Sequence, residues 1–180
     1  VENVLVTGAS GGVGSIAVMI LNKLGCNVTA VTSKESNNEY LKSIGAKSIT
    51  KSSDLDKEPR PLDKGIWDGA VDTVGGNILS NVLPHVKENG IVAAVGNASG
   101  IKLNTTVMPF IIRGVKLWGI DSVHTSSKRR EFLWGEASKL IDFPLLEKSV
   151  KEINLNELLK VFPTMLEGKT TGRYIINLNK

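Results

Sequence analysis

With 180 residues, 41% of them hydrophobic and 22% charged, the chain can bury one sizeable core and has the make-up of an ordinary globular domain. A single cysteine, Cys26, excludes a disulfide framework and a cysteine-rich zinc site within the chain, and no metal is expected. No apolar run approaches the ~20 residues of a membrane span, and the net charge of +4 only mildly favours anionic ligands.

Asn3-Val4-Leu5-Val6-Thr7 reads as a first strand. Gly8-Ala9-Ser10-Gly11-Gly12-Val13-Gly14 follows at once, and Ile16, Ala17, Val18, Ile20, Leu21 and Leu24 then recur at helical spacing. Strand, glycine-rich turn and helix in that order predict a dinucleotide site. Glycines let the backbone approach a pyrophosphate, and the helix start offers free N–H groups to its charge. Cys26 falls where this helix hands over to a second strand, Asn27 to Thr32. A helix follows from about Ser36 through Tyr40, Leu41 and Ile44, and stops at Gly45. Ser48-Ile49-Thr50 is a short third strand, and Lys51 to Lys64, with Pro59 and Pro61, is a polar surface stretch. Trp67 to Val74 reads as a fourth strand closed by Gly75-Gly76, and the next helix carries Ile78, Leu79, Val82 and Leu83. Gly90 to Val95 is a fifth, apolar strand ending at Gly96. A helix around Met108 to Arg113 leads into a sixth strand, Val115 to Ile120, and a further helix is expected over Lys128 to Leu140. The pattern then changes: Phe143 to Ile153 reads as extended, Asn156 to Leu166 as an amphipathic helix, and Gly172 to Leu178 as a last strand.

This alternation predicts an α/β fold: a doubly wound parallel sheet of six strands, of the Rossmann type, over residues 1–142, with residues 143–180 as an addition to it. The cofactor then lies across the carboxyl ends of the strands. Ser10, Gly11, Gly12 and Val13 are expected around the pyrophosphate, and Thr73, Gly96, Asn97 and Ser122 along the nicotinamide side. The tip of the second strand chooses the nicotinamide cofactor. An acidic residue there would hold a ribose 2′-hydroxyl and repel a 2′-phosphate. Thr32-Ser33-Lys34 offers two hydroxyls and an ammonium instead, which suits NADPH, although Glu35 weakens the field.

The turn fits two enzyme families. Thr7-Gly8-x-x-x-Gly12-x-Gly14 matches the short-chain dehydrogenase pattern, but that family needs a Tyr-x-x-x-Lys pair. Here Tyr40 is followed four positions on by Ile44, and Tyr174 by Leu178, so that reading fails on its chemistry. The rest of the chain resembles the medium-chain dehydrogenase/reductase superfamily in its zinc-free quinone oxidoreductase branch, where the turn reads Ala9-Ser10-Gly11-Gly12-Val13-Gly14 with alanine for the first fingerprint glycine. Within that branch the chain is similar to the acrylyl-CoA reductase and related quinone oxidoreductase subfamily. The likeness is carried by Glu39-Tyr40-Leu41-Lys42-Ser43-Ile44-Gly45-Ala46, Arg60-Pro61-Leu62, Ala70-Val71-Asp72-Thr73-Val74-Gly75, Thr105-Thr106-Val107-Met108-Pro109-Phe110-Ile111 and Gly119-Ile120-Asp121-Ser122-Val123.

The resemblance implies an NADPH-dependent oxidoreductase that passes a hydride to an activated C=C bond, of acrylyl-CoA or another 2-enoyl thioester, or to a quinone. It also implies an N-terminal GroES-like substrate domain that this chain lacks. The closing Gly172-Arg173-Tyr174-Ile175-Ile176 resembles the point where such chains return to that domain. A chain beginning at Val1, almost on its first strand, is on this reading a fragment, inactive alone, and the proton donor belongs to the missing domain. The resemblance therefore carries no catalytic residue onto this chain. The competing class is a non-catalytic nucleotide-binding module, for redox sensing or scaffolding, that uses the same pocket.

Single residues invite plainer readings. His85 and His124 lack partners in motif and suit surface or capping roles. Trp67, Trp118 and Trp134 suit packing, with Trp118 on an expected edge strand and so near a contact between subunits. Asp72, at a strand end, suits a cap, and Arg173 either a pyrophosphate contact or a salt bridge. Lys128-Arg129-Arg130 has no interleaved aromatics, so nucleic acid is not an expected partner, nor is a membrane. The expected partner is a small-molecule substrate, the expected assembly a homodimer through the sixth strand, and the expected location a reducing cytoplasm.

Overall fold

Strand and helix alternate to build a six-stranded, all-parallel sheet in the computed structural model, which describes residues 1–178. The strands are β1 (Asn3–Val6), β2 (Asn27–Thr32), β3 (Ser48–Lys51), β4 (Trp67–Asp72), β5 (Val86–Ala94) and β6 (Lys116–Gly119), in the order β3-β2-β1-β4-β5-β6. The order reverses between β1 and β4, so the crossovers diverge there and leave a crevice at the strands' carboxyl ends. Period-two alternation along β1 sends Leu5 and Val6 to opposite faces, each wholly buried. Leu5 joins Ile78, Leu79 and Val82 of helix α3 (Gly76–Val82), with Trp67 and Val92. Val6 joins Val18 and Met19 of α1 (Gly12–Lys23) and Leu41 of α2 (Asn38–Ser43). Helices thus cover both faces, which a parallel sheet with apolar strands requires.

Several boundaries differ from the sequence reading. The helix after β2 begins as a 3-10 turn, Glu35–Asn37, before α2. β4 stops at Asp72, whose carboxylate turns back to bond the chain that follows, and β5 begins at Val86, four residues before Gly90. The pairing of β4 and β5 is irregular between Trp67 and Gly69, and Asn89 takes φ 61°, so apolar pattern alone does not reveal this start. Helix α4 (Met108–Arg113) leads to β6 at the sheet edge, and α5 (Ser127–Leu140) is capped by the Ser126 hydroxyl, which accepts from Arg129 N–H.

The stretch expected to be extended from Phe143 starts instead as helix α6 (Phe143–Glu147). The Asp142 carboxylate accepts from Leu145 N–H, and a proline lies in the first turn, two ordinary helix-start devices. β7 (Val150–Asn154), α7 (Leu158–Leu166, entered by a 3-10 turn at Leu155–Glu157) and β8 (Arg173–Asn177) follow. β7 and β8 pair in parallel as a separate two-stranded sheet. Of the 143–180 segment read from sequence, Asn179 and Lys180 lie outside the described residues. Among the described residues no helix is long and apolar enough to cross a membrane.

Candidate cofactor site

Hydrogen bonds between two strand ends build the floor of the site. Just past β1, the Thr7 hydroxyl donates to the buried Asp72 carboxylate at 2.6 Å. Thr73 N–H donates to Thr7 Oγ1 at 2.9 Å, and the Thr73 hydroxyl to the Thr7 carbonyl at 2.9 Å. The second Asp72 oxygen accepts from Gly75 N–H at 2.9 Å. Burial pushes the Asp72 carboxyl above the usual carboxylate range, against the pull of these bonds. The strands on either side of the switch point are thereby tied together beneath the crevice.

The glycine turn owes its shape to two close approaches. Gly8 has φ 56°, and a side chain there would run into the Thr73 hydroxyl. Gly14, in the first turn of α1, lies on the Gly8 carbonyl with no room for a Cβ, which brings the helix tight against β1. Gly11 N–H closes the turn on the Gly8 carbonyl at 3.0 Å, and Gly11, the N-cap of α1, lines the crevice.

That crevice has a volume of about 440 Å³. Of the residues expected at the nucleotide, Ser10, Gly11, Thr32, Ser33, Lys34 and Thr73 line it together. Gly12 and Val13 are outside the lining, at the start of α1, with Gly12 beneath the Arg173 side chain. Gly96 packs on the Thr73 carbonyl, and the Asn97 carbonyl accepts from Gly100 N–H in the next turn; both are exposed beyond the end of β5 and outside the crevice lining. Ser122 is not brought to the crevice. It sits in the exposed loop after β6, its carbonyl accepting from Arg130 at 2.8 Å.

Sequence reasoning missed other lining residues: Ser52, Asp56, Val74, Ile78, Ser99 and Thr170. Ser99 could have been found, since it follows the fifth strand, and its hydroxyl donates to the Val74 carbonyl at 2.9 Å. No local signal points to Thr170, 136 positions from Lys34, whose ammonium donates to the Thr170 carbonyl at 2.9 Å. Partial burial of that ammonium lowers the Lys34 pKa. The contact belongs to a strap. Gly172 N–H donates to the Ser10 carbonyl at 2.7 Å, the Thr171 hydroxyl to Asn37 Oδ1 at 2.9 Å, and Arg173 covers Gly12. The rim from the β2 tip to the glycine turn is thus made by residues 168–173.

The two histidines stay apart from the crevice. His85 Nδ1 meets the Asn81 carbonyl at 2.8 Å with its ring tilted on Trp67, and exposed His124 pairs with Asp121 at 2.7 Å. Cys26 is free and half-buried.

Comparison with known proteins finds relatives named as dehydrogenases and reductases. A family model described as zinc-binding dehydrogenase matches residues 12–139. The chain is 44% identical over 176 residues to the probable acrylyl-CoA reductase AcuI of Escherichia coli, covering 98% of this chain and 54% of the relative. Among solved structures it is similar to the yhdH oxidoreductase of Salmonella enterica in complex with NADP, at TM-score 0.95 and 43% identity, over 99% of this chain and 55% of that one. It is also similar to Bacillus subtilis yhfP with NAD bound, at TM-score 0.90 and 40% identity, over 98% of this chain and 54% of that one. The chain therefore spans about half the length of the relatives it matches. Zinc appears in the family's description, but among the described residues no group of three or more His, Cys, Asp or Glu side chains could hold a metal ion.

Proposed function

The chain belongs to the zinc-binding dehydrogenase family, within the medium-chain dehydrogenase/reductase superfamily, and from that premise we propose that it forms the NADPH-binding half of a reductase acting on activated C=C bonds. The observation that carries this reading is the crevice at the switch point, where the Ser10–Gly11 turn meets Thr32, Ser33 and Lys34 across one open volume. Ser10, Gly11, Gly12 and Val13 would hold the pyrophosphate at the start of α1, with Arg173 above Gly12 adding a cation. Thr32, Ser33 and Lys34 would hold the adenosine side, and Thr73, Gly96, Asn97 and Ser122 the nicotinamide side. For Ser122 this requires the loop after β6 to move inward. A bound nicotinamide would supply the hydride, while the chain's residues would bind and orient it.

The acceptor is an enoyl thioester such as acrylyl-CoA, or a quinone; the AcuI relative's name favours the thioester. Residues 143–180 would run back toward a substrate domain that supplies the proton donor. We place the protein in the cytoplasm, as a homodimer through the β6 edge. Steady-state assays of the full-length protein with acrylyl-CoA, crotonyl-CoA and quinones test the reaction. Turnover of an enoyl thioester is expected, and no turnover of any of the three would remove the proposal. An unrelated domain upstream of Val1, in place of a substrate domain, would instead favour a non-catalytic nucleotide module.

A further inference from the structure

A second hollow adjoins the crevice at the tips of β2 and β3, and Thr32, Ser33 and Ser52 line both. The crevice therefore continues past the end of β2, the place where a strand tip reads the ribose of a dinucleotide. Lys51, Ser53, Asn38 and the Glu35 carboxylate complete the hollow's polar wall, and the sheet register puts Lys51 directly beside Thr32. Lys34, the cation that sequence alone selects for this task, already has its ammonium on the Thr170 carbonyl at 2.9 Å. The Lys51 ammonium is held at 2.5 Å by Glu35, and both side chains are largely in solvent, 64% and 72% exposed. An exposed pair of this kind contributes little and gives way readily to a stronger partner. A phosphate monoester is one: it carries nearly twice the charge of a carboxylate and three acceptor oxygens.

On the reading that the cofactor is NADPH, we propose that Lys51, released from Glu35, is a specificity-determining cation for its 2′-phosphate, seated with the hydroxyls of Ser33, Ser52 and Ser53. Glu35 then acts as the counter-charge that occupies Lys51 when no 2′-phosphate is present. A 2′-hydroxyl cannot compete for that ammonium, so a cofactor lacking the phosphate leaves the pair intact. Discrimination between the two nicotinamide cofactors is on this view shared by two lysines, Lys34 just past the end of β2 and Lys51 at the end of the neighbouring β3.

Calorimetric titration of adenosine 2′,5′-bisphosphate and of 5′-AMP into the full-length protein isolates the 2′-phosphate, the one group by which these probes differ. Wild type is expected to bind the bisphosphate at least about tenfold tighter. Lys51→Gln should cut that ratio by about tenfold with 5′-AMP affinity unchanged, Lys51→Arg should keep most of it, and Glu35→Gln should raise it by about threefold. A wild type with no preference for the bisphosphate would overturn the NADPH reading, and this proposal with it. A preference that survives Lys51→Gln intact would overturn this proposal alone. The 5′-AMP affinity of each variant reports that the fold and the rest of the crevice are unharmed.

Discussion

Asp72 and Asp68 stand on the same strand and respond to pH in opposite senses. Burial raises the Asp72 carboxyl, so the stability linked to it is full below the unfolded value of about 3.9 and is lost as pH rises through the raised folded value. Asp68 is held low by Asn3 N–H at 2.8 Å and by Lys87 at 3.0 Å. Its contribution is present above about 3.9 and is lost as pH falls through the lowered folded value. Urea unfolding across pH 3 to 8 checks both. Asp68→Asn should flatten the acid limb, and Asp72→Asn should remove the decline toward neutral pH. Asp72→Asn also turns an amide NH₂ toward Thr7 or Gly75, each of which donates to the carboxylate now, at an expected cost of about 1–3 kcal/mol. Gly14→Ala is expected to be worse for binding than for folding. Its Cβ would push α1 away from the Gly8 carbonyl, at about 1–3 kcal/mol in stability, and the displaced N–H groups should weaken NADPH in calorimetry.

Elements with strong local patterns were legible, and those decided by distant contacts were not. β1, the glycine turn and α1 declare themselves because each residue's local preference agrees with the fold. α6 is masked in the sequence despite the start signals of Asp142 and the following proline, because Phe143 to Ile153 has enough apolar residues to mimic a strand. The six crevice residues found from sequence lie on strand ends or the fingerprint turn, where one-dimensional spacing still tracks three-dimensional position. Thr170 and Ser52 reach the crevice by tertiary return, which no spacing rule reports. Gly172 tests the importance of that return. It has φ 64°, and a Cβ there would collide with the Ser149 carbonyl. Gly172→Ala should therefore pull the strap off the Ser10 carbonyl and lower NADPH affinity by about tenfold, with a loss of about 1–3 kcal/mol in thermal unfolding.

At the scale of the molecule, the exposed edge of the six-stranded sheet bears on assembly. β6 lies at that edge with Trp118 64% exposed, while Leu117 packs inward against the core. The expected homodimer would cover this edge and join two sheets into one. Light scattering of the full-length protein at micromolar concentration should give twice the protomer mass, and Trp118→Lys should shift it to the monomer. The strap bears on a different matter, the order in which a growing chain acquires its parts. Lys34 and Thr170 are 136 positions apart, and a ribosome adds only about 5–20 residues each second. The sheet's six strands all emerge before the strap is made. A nascent chain thus passes several seconds with its core assembled and its nucleotide rim incomplete, and a chain cut short in that interval would fold without acquiring its full grip on the ligand.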